Sequence, residues 1–201
     1  MAEIQKITQV TDEPYLNMYL VQGVNSKGHH SNYFVASRAR HIEDLKIKTK
    51  QDTADGVVIY SLYGEKKDRV VLIRQYRYPL DGFIYEFPAG LVEPNEEFHS
   101  AAIRELHEET GLTFTPLDVD PMYEKPRFTS CGMSDESNAI VYGYASGEIS
   151  GKYAEPSEEI EIVLADRDEV RRILREERVS LVTAYQLMHF LSDEEPFAFL
   201  K

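Results

Sequence analysis

The sequence predicts an α+β fold in which a small antiparallel β-sheet precedes a larger layered domain. Apolar stretches of strand length do not alternate regularly with helical stretches, which argues against repeated β-α-β units. Helical patterns occur in one internal segment and in two segments near the end of the chain. With 201 residues, 42% of them hydrophobic, the chain can bury a core of ordinary size.

A domain boundary is predicted near residue 50. Two β-like stretches before it, residues 15–22 and 32–38, are separated by a turn-forming run over residues 23–28. A hairpin or small sheet of this size cannot fold alone, so it must pack on the rest of the chain or on another subunit. We therefore predict an N-terminal β-domain over residues 1–49 and a larger domain over residues 50–201.

Strand and helix patterns in the larger domain follow from apolar runs bounded by turn-forming residues and from helix-capping signals. The predicted order is strands over residues 57–63, 69–75 and 83–87, a helix over 96–110, a long connection over 113–138, strands over 139–145 and 160–164, and helices over 166–177 and 180–191.

Composition excludes several classes of protein. A net charge of −13 repels nucleic acid and anionic membranes, and no apolar run approaches the length of a membrane span. The N-terminal segment lacks the apolar core of a signal peptide, and the single cysteine, Cys131, excludes an intramolecular disulfide. We therefore expect a cytoplasmic protein with no nucleic-acid or membrane partner.

The helix predicted over residues 96–110 carries acidic side chains on one face. Asn95 can cap this helix, and Gly111 can end it in a left-handed turn. Glu105, Glu108 and Glu109 lie three and four residues apart, so their like charges destabilise the helix unless a cation lies among them. Mg²⁺ or Mn²⁺ suits such a set, because hard cations prefer oxygen ligands and keep positions open for water and phosphate.

The segment before the helix favours a metal site over an ordinary solvated acidic face. Residues 87–90, Phe-Pro-Ala-Gly, are typical of a strand end that enters a tight loop, where a backbone carbonyl is exposed and only glycine tolerates the geometry. This loop would face the carboxylates of the helix that follows. The sequence therefore predicts a divalent metal site at this junction.

One extended pattern covers the whole segment: Gly90, five residues, Glu96, seven residues, and then Arg104-Glu105-Leu106-x-Glu108-Glu109-x-Gly111-Leu112. This pattern resembles the Nudix box. Asn95 departs from the box, since many members have glycine there, but asparagine also tolerates a positive φ. The resemblance implies a Nudix α/β/α sandwich, here with the small N-terminal antiparallel sheet, and hydrolysis of a diphosphate.

The resemblance also implies a set of metal ligands for two or three Mg²⁺ or Mn²⁺ ions. The backbone carbonyl of Ala89 and the carboxylates of Glu105 and Glu109 would be the main ligands. Glu108 would be a shared or second ligand with a catalytic role. Arg104 would pair with the carboxylates and orient them for catalysis.

Further motifs lie outside the box: Thr53-Ala-Asp-Gly-Val, Arg74-Gln-Tyr-Arg77, Tyr85-Glu-Phe-Pro-Ala-Gly90, Cys131-Gly-Met-Ser-Asp-Glu136, and Pro126, fifteen residues after Gly111. They resemble the ADP-ribose pyrophosphatase branch of the family. This implies hydrolysis of ADP-ribose, or a related ADP-sugar, to AMP and a sugar phosphate. The alternatives are a pyrophosphatase for GDP-mannose or another nucleotide sugar, a nucleoside triphosphate clean-up enzyme, and a ligand sensor without catalytic activity.

A catalytic base and two phosphate ligands are further implications of this resemblance. Glu136 would draw a proton from the attacking water, with Asp135 as its nearest competitor. Arg77 and Arg38 would bind the phosphates of the substrate.

Residues of the N-terminal sheet and of the loop before Glu136 are implied to contact the rest of the substrate. Tyr15 and Tyr33 would hold the base, with Tyr19 as an alternative, and Gly132 and Met133 would line the substrate site. The branch exchanges its N-terminal domains between two protomers. A homodimer is therefore expected, with each active site built from both chains.

Overall fold

The computed structural model describes residues 1–154 and 159–200 and confirms the α+β fold class. The chain forms two compact units. The first comprises Met1–Asp55 and Pro126–Asn138, and the second comprises Gly56–Lys125 and Ala139–Lys201. The division into domains at residue 50 stays a prediction. None of the helices in these described ranges is long and apolar enough to cross a membrane.

The first unit contains a three-stranded antiparallel sheet of β1 (Glu3–Gln9), β2 (Asn17–Val24) and β3 (His30–Ser37), in that order. The sequence predicted β2 and β3 but missed β1. Most side chains of β1 are exposed, so this strand lacks the apolar alternation that identifies a half-buried strand. A helical turn, α1 (Lys46–Thr49), and a two-residue strand, β9 (Arg127–Phe128), complete the unit.

The second unit is built around a larger sheet. The strands are β4 (Gly56–Tyr63), β5 (Arg69–Arg77), β6 (Gly82–Glu86), β7 (Ala89–Leu91), β8 (Thr113–Pro116), β10 (Ser137–Ser146) and β11 (Ile160–Ala165), and the helices are α2 (Phe98–Thr110), α3 (Pro121–Glu124), α4 (Arg167–Glu176) and α5 (Leu181–Ser192). The strand order in the sheet is β11-β5-β4-β10-β8, with β6 paired to β5 and β7 paired to β4.

Helices cover both faces of this sheet. On one face, Tyr60 and Leu62 of β4 share a buried cluster with Ile173 of α4 and Phe190 of α5. The intervening side chains of β4 point to the opposite face, and α2 contacts β4 there. Burial on both faces explains why β4 and β5 are almost continuously apolar instead of alternating.

The long connection predicted over residues 113–138 contains elements that were not predicted. This segment contains β8, α3 and β9. These elements are four, four and two residues long, which is too short for a strand or helix period to be recognised in the sequence.

The boundaries of α2 were predicted correctly at one end. Gly111 ends the helix with a left-handed φ of 74°, as expected. The helix begins at Phe98 and not at residue 96, and its cap is the side chain of Glu97, which accepts a hydrogen bond from the backbone of His99. Asn95 does adopt a positive φ of 67°, but in the turn before the cap.

Candidate active site

The strand β7 lies directly against the acidic face of α2. The backbone N–H of Ala89 donates a hydrogen bond of 3.1 Å to Oε2 of Glu109, a residue that is only 2% exposed. A Cβ atom built on Gly90 would overlap with the carboxylate of Glu105. The segment before the helix therefore faces its carboxylates, as the sequence predicted.

The prediction that Gly90 is required by the backbone geometry of a tight loop was wrong. Gly90 belongs to β7, and its φ lies outside the left-handed region that favours glycine. Glycine is required here because the Glu105 carboxylate occupies the space that any side chain would fill. The constraint is close packing between two elements and not the backbone geometry of a tight loop.

Arg104 is the centre of the charge network on α2. Its Nε and Nη2 donate to the two carboxylate oxygens of Glu96 at 3.1 and 2.9 Å. Its Nη1 donates to Glu105 at 2.8 Å and to Glu108 at 3.0 Å, and Nη2 also donates to the backbone oxygen of Leu91 at 3.0 Å. The hydrogen bond with Glu96 raises the pKa of Arg104 and lowers that of the Glu96 carboxyl. The guanidinium of Arg104 thus offsets the repulsion among the carboxylates of Glu96, Glu105 and Glu108.

The types of donor atom at this junction are those that a hard divalent cation prefers, but the side chains are not arranged around a common point in this structure. The carboxylates of Glu105 and Glu109 supply oxygen atoms, and both approach the Ala89–Gly90 segment, where Glu105 fills the space left by the absence of a side chain. Within residues 1–154 and 159–200, no group of three or more acidic, histidine or cysteine side chains has an arrangement that could hold a metal ion. Arg104 binds oxygen atoms of Glu105 and Glu108. A metal ion would therefore compete with Arg104 for these carboxylates.

Arg77 ends β5 in the same unit. Its Nε donates a hydrogen bond of 2.7 Å to Oε2 of Glu86 on the neighbouring strand β6, and its side chain is 42% exposed. Arg77 can therefore reach solvent, but it already has an anionic partner.

The other predicted site residues belong to the first unit. Arg38 forms an ion pair with Glu136 at 2.7 Å, and the hydroxyl of Tyr33 donates to the backbone oxygen of Gly132 at 2.6 Å. The pairing of Tyr33 with Gly132 joins β3 to the loop that carries Met133 and Glu136.

A cavity of about 260 Å³ lies between β2, β3 and this loop. Tyr33 and Met133 both line it, together with Cys131 and apolar residues of β2 and α1. The structure therefore gathers three residues predicted to bind substrate, Tyr33, Gly132 and Met133, within one part of the first unit.

Tyr15 is not part of this group. It precedes β2, whose first residue Asn17 pairs with Ser37, whereas Tyr33 pairs with Val21 four residues further along the hairpin. Tyr15 lies six residues before Val21, so Tyr15 and Tyr33 of one chain are not neighbours in the sheet. Tyr19, the alternative to them, is fully buried, and its hydroxyl donates to the backbone of Ala39.

A polar cluster of Glu97, His99 and Glu124 lies at the start of α2 and was not predicted from the sequence. His99 contacts the Glu97 carboxylate through Nδ1 at 3.0 Å and the Glu124 carboxylate through Nε2 at 2.9 Å. Glu124 is buried, and its Oε1 has no hydrogen-bond partner among the described residues. Glu124 and His99 are separated by 25 residues, so no local pattern could have indicated the contact.

This cluster predicts a pH-dependent contribution to stability. Burial disfavours charged His99, but the contacts with Glu97 and Glu124 outweigh burial and raise the pKa of His99 above 6.5. A raised folded-state pKa means that the stabilisation is complete below about pH 6.5 and is lost as pH rises through the raised value. We expect His99→Gln to reduce the free energy of unfolding more at pH 6 than at pH 8, by up to about 1 kcal/mol in view of solvent screening.

Urea unfolding at the two pH values measures this difference. His41→Gln, which removes an exposed histidine, is the control and should show no such change between pH 6 and pH 8. An equal loss of stability at both pH values for His99→Gln would contradict the prediction.

Comparison with known families identifies the class of protein. A family model for the NUDIX domain matches residues 52–190. The match covers more than half of the chain, and the chain belongs to the Nudix family. The resemblance stated from the box alone is thereby confirmed.

Individual relatives show where the chain is similar within this family. It is 33% identical over 96 residues to an ADP-ribose pyrophosphatase of Saccharomyces cerevisiae, an alignment that covers 45% of this chain and 42% of that relative. It is 38% identical over 82 residues to an ADP-ribose pyrophosphatase of Bacillus subtilis, covering 41% of this chain and 40% of that relative. The chain thus spans less than half the length of these two relatives.

A solved structure confirms the fold. The crystal structure of an ADP compounds hydrolase superposes with a TM-score of 0.62 over 87% of this chain and 83% of that chain, at 19% sequence identity. The expected Nudix sandwich is therefore present.

Proposed function

We propose that the protein hydrolyses the diphosphate of ADP-ribose, or of a related ADP-sugar, to AMP and a sugar phosphate. The observation that carries this proposal is the direct contact between the carboxylates of α2 and the Ala89–Gly90 segment of β7. Membership of the Nudix family and the similarity to two ADP-ribose pyrophosphatases support the substrate class.

The metal ligands that we propose are the carbonyl of Ala89 and the carboxylates of Glu105 and Glu109, with Glu108 as a shared ligand. Arg104 orients two of these carboxylates, those of Glu105 and Glu108, through the hydrogen bonds described above. Two or three Mg²⁺ or Mn²⁺ ions would neutralise charge on the diphosphate and lower the pKa of a bound water.

We propose that proton transfer and phosphate binding are performed by residues outside α2. Glu136 is the proposed base that accepts the proton of the attacking water. Arg77 is the proposed phosphate ligand, and it would exchange its contact with Glu86 for a substrate phosphate. Tyr33, Gly132 and Met133 would contact the remaining part of the substrate near the cavity of the first unit.

The quaternary structure that we propose is a homodimer with exchanged N-terminal domains, in the cytoplasm. Large apolar side chains of the first unit support an interface, because Ile4, Leu16 and Phe34 are exposed, together with Tyr15. Because Tyr15 and Tyr33 are not neighbours within one hairpin, a base held between two tyrosines would take them from different protomers. Light scattering coupled to gel filtration should give twice the mass of the chain, and a monomeric mass would refute the dimer.

A substrate panel tests the proposed activity. With Mg²⁺, the protein should release AMP from ADP-ribose with a kcat/KM at least about tenfold above that for GDP-mannose or a nucleoside triphosphate, since one well-placed set of base contacts gives discrimination of this size. A preference for GDP-mannose would favour the nucleotide-sugar alternative. Release of pyrophosphate from triphosphates would favour the clean-up enzyme, and binding of ADP-ribose without turnover would favour the sensor.

A further inference from the structure

The side chain of Arg38 is directed at Glu136. We propose that Arg38 is a positioning residue that fixes the carboxylate of Glu136 and is not a phosphate ligand. This inference rests on the proposed function, in which Glu136 is the catalytic base. It also changes the role that the family resemblance gave to Arg38.

Both carboxylate oxygens of Glu136 have partners. Arg38 donates to Oε1 from Nε at 2.8 Å and contacts the same oxygen from Nη2 at 2.7 Å. Thr129 donates from its hydroxyl to Oε2 at 3.1 Å. With one oxygen held by Arg38 and the other by Thr129, the plane and direction of the carboxylate are defined.

The backbone around Glu136 is anchored on both sides. The N–H of Thr129 donates to the backbone oxygen of Glu136 at 3.0 Å. The N–H of the next residue, the fully buried Ser137, donates to Oδ2 of Asp55 at 2.8 Å, and Lys46 contacts the same carboxylate. Since the main chain is fixed, the remaining freedom of Glu136 lies in its side-chain torsions, which the contacts with Arg38 and Thr129 restrict.

Arg38 and the loop that carries Glu136 are also joined through the backbone. Ala36, at the end of β3, donates to the backbone oxygen of Met133 at 2.9 Å and forms a parallel bridge with Ser134. Arg38 is the first residue after β3, so the pairing of this strand with the loop places the guanidinium of Arg38 next to the loop. The pairing of Arg38 with Glu136 is therefore part of a defined interface within the first unit.

The exposure of the pair indicates positioning and not structural support. The side chains of Arg38 and Glu136 are 34% and 28% exposed, and ion pairs with this much contact with water add little to stability. The same exposure leaves the carboxylate accessible to a water molecule. A base whose direction is wrong loses proton-transfer efficiency even when the fold is intact.

Steady-state kinetics of Arg38→Gln in the full chain, with Mg²⁺ and ADP-ribose, test the proposal. We expect kcat to fall by about 10-fold to 100-fold, the range expected when a catalytic group is misplaced, while KM changes by less than about threefold. Arg38→Lys should recover part of kcat, because lysine keeps the charge but not the two-donor geometry. Arg40→Gln, which removes an exposed arginine two residues away, is the matched control and should keep wild-type kinetics.

A double mutant separates positioning from phosphate binding. In a Glu136→Gln background, Arg38→Gln should cause almost no further loss of kcat, because the group that it positions is already gone. A KM that rises at least about tenfold with unchanged kcat would overturn the proposal and return Arg38 to phosphate binding. Unchanged kcat and KM would also overturn it. An inactive wild-type protein would refute the proposed function as well, whereas an active wild type with normal Arg38→Gln kinetics would refute this inference alone.

Discussion

Replacing Glu109 with glutamine is expected to lower kcat for ADP-ribose by about three orders of magnitude, equivalent to ~4 kcal/mol of transition-state stabilisation. Glu109 is 2% exposed and accepts the N–H of Ala89, the residue whose carbonyl is a proposed metal ligand. Glutamine has the same shape, and its amide oxygen can still accept this hydrogen bond. The change therefore removes a charged metal ligand while the packing between α2 and β7 is kept.

The comparison that makes this prediction specific is Glu176→Gln, which removes an exposed carboxylate from α4. This control should keep both wild-type kcat and the wild-type melting temperature. AMP release at saturating ADP-ribose measures the rates, and thermal unfolding shows whether Glu109→Gln is folded. A folded Glu109→Gln protein with a wild-type rate would refute the metal assignment at this residue.

Replacing Gly90 with alanine is expected to lower kcat by at least about 100-fold, because a misplacement of about 1 Å at a catalytic group can cost this much. The new methyl group would overlap with the carboxylate carbon and both oxygens of Glu105. Glu105 must then turn away from Gly90, and turning breaks its contact with Arg104. The φ of Gly90 lies outside the left-handed region, so backbone strain does not contribute to the effect.

Gly151→Ala provides the matched control for this substitution. Apart from its two chain neighbours, no heavy atom of residues 1–154 and 159–200 lies within 4 Å of a Cβ built on Gly151, and its φ is also outside the left-handed region. This variant should keep its activity. Weaker binding of Mn²⁺ by Gly90→Ala, measured by calorimetry, would give a second readout that is independent of turnover. Wild-type kcat in Gly90→Ala would show that the packing of Glu105 against β7 is unimportant for the reaction.

Much of the fold could be predicted because its signals are local. The buried strands β4 and β5 are continuous apolar runs, and α5 and α4 carry helical periodicity with capping residues at their starts. The missed elements lack such signals: β1 is largely exposed, and β8, α3 and β9 are very short. The strands among these elements form only because neighbouring strands supply their hydrogen bonds.

At the junction between β7 and α2, the features with local signals could likewise be predicted, and those that depend on tertiary contacts could not. The spacing of Glu105, Glu108 and Glu109 predicted a crowded acidic face, because positions on one helix follow from the helical period alone. The family resemblance implied that Arg104 pairs with these carboxylates, and the structure shows its contacts with Glu105 and Glu108. The additional contact of Arg104 with Glu96 is visible only in the structure. The reason predicted for Gly90 was wrong, since the overlapping atom comes from a side chain fifteen residues away.

By itself, the sequence determined the family, the acidic helix and the position of the proposed metal site, because these depend on residue types at fixed local spacings. Only the tertiary structure decided which charged groups on different strands and loops form ion pairs. Arg38 and Glu136 are 98 residues apart, and Arg77 meets Glu86 across two strands. The physical reason is that an ion pair depends on the distance between two charged groups in space, and that distance is set by the packing of β3 on a loop or of one strand on its neighbour.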